Sequence, residues 1–106
     1  MSDLNNCNFT GTLDNIKEVR DLGSSKVRNF SLNCQKKLQD GRVISTWPRF
    51  EAWGGWSDAM DTMKEGDPVF IVAEYQVRKG KDNDEYYHSF TVKTIGSLGV
   101  EEATVL

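Results

Sequence analysis

The sequence has few of the residues from which catalytic and metal sites are built: among 106 residues there are one histidine, His88, and two cysteines, Cys7 and Cys34. The cysteines lack Cys-x-x-Cys spacing, so a zinc site has no support. There is also no Cys–His–acid constellation, glycine-rich phosphate loop or recognisable pair of catalytic carboxylates. We therefore expect a protein that is not an enzyme and uses no cofactor or metal. We expect both cysteines to lie unpaired in strands and His88 to be structural.

Long apolar runs are also missing. No run approaches the ~20 residues that a membrane-spanning helix needs, and residues 1–6 lack the basic and apolar regions of a signal peptide. We expect a cytoplasmic protein that does not enter a membrane. The length fits one domain over residues 1–106, with a short polar C-terminal end at about residues 99–106 and no long acidic tail.

An excess of positive charge is absent as well. The 13 basic and 16 acidic side chains give a net charge of −3. Proteins that bind duplex DNA through a broad cationic surface have the opposite balance. Binding of single strands remains possible, because a few well-placed cations and stacking aromatic rings suffice for it.

The pattern of apolar residues is that of a β-protein. Five segments are predicted to be strands: residues 7–13, 26–34, 44–53, 69–78 and 86–95. In the second segment Phe30, Leu32 and Cys34 alternate with polar residues, as in a strand with one buried face. Gly11 in the first segment indicates a bulge or a close approach of another backbone.

A short helix is predicted between the third and fourth strands. After Gly54 and Gly55, apolar residues recur with the spacing of one helical face, and Gly66 would end the helix. These residues are Trp56, Ala59, Met60 and Met63, and we expect Trp56 to be in the core. The order of elements predicts an all-β fold: a five-stranded Greek-key barrel of the oligonucleotide-binding (OB) type with one short helix between strands three and four.

The third predicted strand combines aromatic and basic side chains. One face would hold Trp47, Arg49, Glu51 and Trp53, while Phe50 points inward. Exposed indoles are unfavourable unless they are covered. Nucleic-acid bases could cover them, and each stacked base contributes about 1 to 3 kcal/mol. A subunit interface, or packing beneath the helix, would explain the two tryptophans equally well.

The basic residues form three groups near predicted strand ends, where OB folds contact nucleic acid. The groups are Lys26 with Arg28, Lys36 with Lys37, and Arg78 with Lys79 and Lys81. Each group alone could be an ordinary solvated surface.

Residues 6–98 resemble the DNA-binding domain of bacterial and phage single-stranded DNA-binding proteins. The matching motifs are Phe-Thr-Gly-Thr-Leu at residues 9–13, Trp-Pro-Arg at 47–49, Trp-Gly at 53–54, Lys-Glu-Gly-Asp-Pro-Val at 64–69 and Arg-Lys at 78–79. The resemblance implies sequence-independent binding and protection of single-stranded DNA during replication, recombination or repair. It also implies a homo-oligomer, with a tetramer favoured and a dimer possible. The alternative is a protein-interaction module of a replication or primosome complex.

The resemblance also implies which residues bind DNA. Trp47 and Trp53 fall on stacking positions, and Arg49, Arg78 and Lys79 on basic positions. Lys26, Arg28 and Lys36 complete the candidate set. Gly80 stands where the family often has an aromatic residue, which implies that one stacking platform is missing. Without a long acidic tail, recruitment of other replication proteins has little support.

Overall fold

The computed structural model describes residues 3–81 and 84–98, so the predicted polar end at residues 99–106 lies outside the described residues. The strands are β1 (Cys7–Asp14), β2 (Arg20–Asp21), β3 (Lys26–Lys37), β4 (Val43–Thr46), β5 (Arg49–Trp53), β6 (Pro68–Lys79) and β7 (Tyr86–Ser97). A helix, α1 (Gly55–Ala59), continues directly into a 3₁₀ turn at Met60–Thr62.

Five of these strands close into a barrel. Their order around it is β1, β6, β7, β5 and β3, and β3 pairs again with β1. All of these pairings are antiparallel except that of β5 with β7. Strands β2 and β4 are short additions that pair with β3. The predicted five-stranded OB barrel with its one short helix is thus confirmed.

The barrel interior is filled by the alternating apolar residues of its strands. Four phenylalanine rings, Phe9, Phe30, Phe50 and Phe90, contact one another in the core with centroid separations of 4.9 to 5.5 Å. Aromatic pairs at such separations add to the energy of burial. Phe50, in the middle of β5, points into this cluster, so the residues on the other face of β5 point outward.

Gly11 lies where β1 passes close to β3. A Cβ atom at this position would be only 2.7 Å from the carbonyl oxygen of Asn33, which confirms the close backbone approach that the sequence predicted. Cys7 and Cys34 are both free thiols, and burial raises the pKa of Cys34. His88 lies in β7, where its Nδ1 forms a hydrogen bond with the hydroxyl of Tyr75.

The predicted third strand is interrupted at Trp47 and Pro48, because a proline has no N–H to donate to the neighbouring strand. The alternation nevertheless continues across the break. Ser31 lies opposite Arg49 and Cys34 opposite Thr46, which is the same register on both sides. Trp47 therefore lies on the outward face with Arg49, as the sequence predicted.

The expectation that Trp56 is a core residue was wrong. Trp56 is 37% exposed, and the helix instead buries Ser57 and Met60 completely. The α-helix has only five residues before the tighter 3₁₀ turn, and the predicted stripe required two continuous α-helical turns. The helical segment also ends at Thr62, before Gly66. None of the described helices is long and apolar enough to cross a membrane.

Candidate nucleic-acid interface

A groove of about 680 Å³ lies on the outward face of β3 and β5, between the loop that follows β1 and the tip of the β6–β7 hairpin. The polar and aromatic residues that line it include Asn15, Lys17, Asn29, Ser31, Arg49, Glu51, Arg78, Lys79, Lys81 and Tyr87. In OB folds, the corresponding strand face and its two flanking loops form the usual binding surface for oligonucleotides.

The lining of the groove is strongly cationic. Among the described residues it includes five basic side chains and a single carboxylate, that of Glu51. Within the same part of the chain, the side chains of Lys17, Arg49 and Lys81 form no ion pair. Cations gathered in a concave surface focus the electrostatic field and attract anions. The groove therefore has the charge that a phosphate backbone requires, although the whole protein is acidic.

The backbone around Lys17 is anchored at two points. Asn15 has a positive φ of 49°, a conformation that asparagine tolerates well. The N–H of Ile16 donates to the Glu65 carboxylate at 3.0 Å. The N–H of Lys17 donates to the carbonyl oxygen of Asn29 in β3 at 2.9 Å. Lys17 was not predicted from the sequence, because nothing in the sequence indicates that this loop folds back onto β3.

Glu51 connects two of the predicted site residues. Its Oε2 accepts a hydrogen bond from Nη2 of Arg78 at 2.6 Å, and its Oε1 accepts one from Nε1 of Trp53 at 3.3 Å. The side chain of Glu51 is only 17% exposed, whereas that of Arg78 is 57% exposed. The carboxylate thus ties the hairpin to β5 and fixes the edge of the Trp53 indole.

The two predicted stacking residues differ in accessibility. Trp47 is 54% exposed, while Trp53 is half-buried. Trp47 lies two residues from Arg49 on the same face, about 7 Å along the strand direction. Of the two indoles, Trp47 is the more accessible to a ligand beside the groove.

Lys26 and Arg28 belong to a different region. Arg28 lies opposite the buried Ala52, and so on the inward side of β3. Its guanidinium forms an ion pair with Asp61 at 2.6 Å, and Lys26 forms one with Asp58 at 2.5 Å. The hydrogen bond and the charge of Asp58 raise the pKa of Lys26. These two predicted site residues contact acids at the helix and do not line the groove.

Lys36 and Lys79 complete the predicted set. In the β3–β4 hairpin, Lys36 lies opposite Ile44 and Lys37 lies opposite Val43. Both lysines are exposed. By the alternation of the strand, Lys37 shares the face of Trp47 and Lys36 does not. Lys79 lines the groove and lies 3.6 Å from the fully exposed Asp84, an arrangement that contributes little energy in water.

The structure adds an aromatic residue that the sequence analysis missed. Tyr87 of β7 lies directly opposite Arg78, lines the groove and is 52% exposed. The sequence indicated that a stacking platform was missing because Gly80 follows the basic pair. Tyr87 supplies an aromatic ring from the facing strand instead. The adjacent pair Tyr86 and Tyr87 was the available signal, since one of two neighbouring strand residues must share the face of Arg78.

Comparison with solved structures supports the same fold. PriB from Ralstonia solanacearum superimposes with a TM-score of 0.70 at 12% identity, over 92% of this chain and 100% of that one. A deletion mutant of the single-stranded DNA binding protein from Thermus aquaticus superimposes with a TM-score of 0.74 at 17% identity, over 92% of this chain and 51% of that one.

No protein-family model matches the sequence, and no curated protein matches it closely enough to be called a relative. At identities of 12 to 17%, the structural likeness establishes the fold alone.

Proposed function

We propose that the protein binds single-stranded DNA without sequence preference and protects it during replication or recombination. The observation that carries this proposal is the position of Arg49 in a cationic groove, next to the exposed rings of Trp47 and Tyr87. Arg49 forms no ion pair with any residue that the structure describes. Cations would hold phosphates, and the rings would stack on bases. Duplex DNA offers its phosphates but not its base faces, so we expect it to bind more weakly.

The fold and the sequence motifs favour the same function. The second and third barrel strands of this protein, β3 and β5, form the face that OB folds use for oligonucleotides. The Thermus aquaticus protein of similar fold is a single-stranded DNA binding protein. The motifs around Trp47, Trp53 and Arg78 resemble the DNA-binding domains of that class.

We also propose that the protein forms a homo-oligomer. In β1, residues 7–10 pair with β6 on one side, and no described strand pairs with them on the other. An unpaired edge of this kind can join the same strand of a second copy about a twofold axis. Such pairing would extend the sheet at residues that do not line the groove.

A fluorescence titration with oligo-dT, oligo-rU and duplex DNA tests the proposal, and light scattering on the same sample measures the mass of the assembly. We expect oligo-dT to quench the tryptophan fluorescence and duplex DNA to leave it nearly unchanged. We expect a mass larger than that of one chain. The comparison with oligo-rU measures the preference for DNA over RNA.

Arg49→Ala provides the matched test of the groove. Loss of one phosphate contact should make the slope of log K against log salt shallower by about 0.7. It should weaken all sequences equally, because a phosphate contact carries no base information. Lys93→Ala is the control, since Lys93 contacts Glu74 and Asn6 and does not line the groove. Absence of quenching by oligo-dT would contradict the proposal and favour the protein-interaction module.

A further inference from the structure

The groove contains one feature that opposes DNA binding. Glu51 is the only carboxylate among the described residues that line it. Both of its oxygens are occupied, one by Arg78 at 2.6 Å and the other by Trp53 at 3.3 Å. Arg78 in the free protein is thus already bound to an anionic group of the same chain.

A phosphate can use Arg78 fully only if the guanidinium leaves Glu51 or is shared with it. The carboxylate is largely buried, and a buried charge that loses its partner is costly. The negative charge of Glu51 would also repel a phosphate placed in the groove. Both effects weaken the binding of a strand at this point.

The two ends of this ion pair differ in a way that favours an exchange. Arg78 is more than half exposed and sits on the hairpin that borders the groove. It can therefore turn toward a ligand, whereas Glu51 is fixed in β5. An arginine needed only to stabilise Glu51 would be expected to be buried with it.

We infer that Glu51 competes with the DNA phosphates for Arg78 and thereby sets the affinity and the salt dependence of binding. This inference rests on the proposed function. In the free protein Glu51 holds Arg78 in place, and in the complex a phosphate replaces it. Binding at this position is an exchange of one anion for another, which keeps the complex readily reversible.

The test is Glu51→Gln, which removes the charge but keeps a side-chain oxygen for Trp53. We expect affinity for oligo-dT to rise about fivefold at about 50 mM salt. The slope of log K against log salt should become steeper by about 0.7, because in the parent the carboxylate freed from Arg78 attracts a cation that offsets the one released at this phosphate. Thermal unfolding of the variant shows that it is folded under the conditions of the titration. An affinity equal to or below that of the parent would overturn the inference.

Glu74→Gln is the matched control, because it changes the net charge equally. Glu74 lies in β6 and pairs with Lys93 at 3.6 Å, away from the groove lining. We expect this variant to change the affinity by less than about twofold, as for a rim charge that is screened by solvent. An equal gain from Glu74→Gln would mean that net charge alone is responsible, and would refute a specific role of Glu51.

A second background tests whether Arg78 is the group involved. In a protein carrying Arg78→Ala, Glu51→Gln should no longer steepen the salt slope, because the released arginine is absent. If Glu51→Gln raised the affinity for oligo-dT by the same factor in this background, competition for Arg78 would be refuted. If the parent protein binds no oligo-dT, the proposed function itself is overturned. If the parent binds oligo-dT but Glu51→Gln does not raise the affinity, only the inference about Glu51 is overturned.

Discussion

Two neighbouring tyrosines in β7 allow a sharp test of base stacking. Tyr87 lies opposite Arg78 and lines the groove, whereas Tyr86, the preceding residue of β7, lies on the other face of the strand and does not line the groove. Their exposures are similar, 52% for Tyr87 and 59% for Tyr86. The two residues therefore differ mainly in the face that they occupy. If bases stack in the groove, only Tyr87 should matter for binding.

The expected size of the effect follows from the position of the ring. Loss of one stacked base weakens binding by about 1 to 3 kcal/mol, which is roughly a fivefold to 150-fold loss of affinity. We expect Tyr87→Ala to fall in this range and Tyr86→Ala to change the affinity by less than about twofold. Neither change should lower the free energy of unfolding by more than about 1 kcal/mol, because both rings are exposed.

The assay is fluorescence anisotropy of a labelled oligo-dT strand, with thermal unfolding of each variant as the check on folding. Tyr87→Phe should retain most of the affinity, because it keeps the ring and removes only the hydroxyl. Equal losses from Tyr86→Ala and Tyr87→Ala would refute the assignment of faces. A loss from Tyr87→Phe as large as that from alanine would show that the hydroxyl acts and not the ring.

Two further predictions concern stability. Trp56→Ala should lower the free energy of unfolding by about 1 to 2 kcal/mol, less than the loss of a buried tryptophan would, because the side chain is 37% exposed. In the same urea titration, Met60→Ala should cost more, because Met60 is fully buried. A larger cost for Trp56→Ala than for Met60→Ala would contradict the exposed position of Trp56. Gly11→Ala should lower the free energy of unfolding by about 1 to 3 kcal/mol, because its Cβ would lie 2.7 Å from the carbonyl oxygen of Asn33. Gly55→Ala is the control, because no atom lies within 4 Å of its added Cβ. Equal stability of the two variants would refute the close contact at Gly11.

The fold was predictable because a closed barrel imposes a period of two on each strand. Residues such as Phe30 and Leu32 must point inward, so alternation in the sequence marks the strands directly. The face of Arg49 was predictable for the same reason. The phase of the helix was not, because it depends on where the chain leaves β5. Gly54, between β5 and α1, has a positive φ of 56°, a local conformation that the apolar pattern does not encode. In the structure Met60 is fully buried and Trp56 is 37% exposed.

The site was predictable only in part, because it depends on contacts between distant segments. Arg49, Arg78 and Lys79 line the groove, as expected for the barrel face and its last hairpin. Arg28 was assigned to the site as a strand cation, although the alternation of Phe30 and Leu32 already places it on the inward side, opposite Ala52. Its ion pair with Asp61, which comes from a distant segment, does not follow from that pattern. Tyr87 faces Arg78 because of the hairpin register, and that register includes a shift between Val72 and Ala73.

The arrangement of charges explains how an acidic protein can carry a cationic groove. At the helix, Asp58 and Asp61 neutralise Lys26 and Arg28, so these two cations add little to the field around the groove. In the groove itself, Glu51 is the single described carboxylate. Because potentials from exposed charges decay over about 10 Å at moderate salt, a bound strand would respond to this local excess of positive charge. The net charge of −3 is a sum over every charged residue of the chain and does not describe the charge of this face. Local charge, and not the net charge, therefore decides whether a phosphate backbone is attracted to this face.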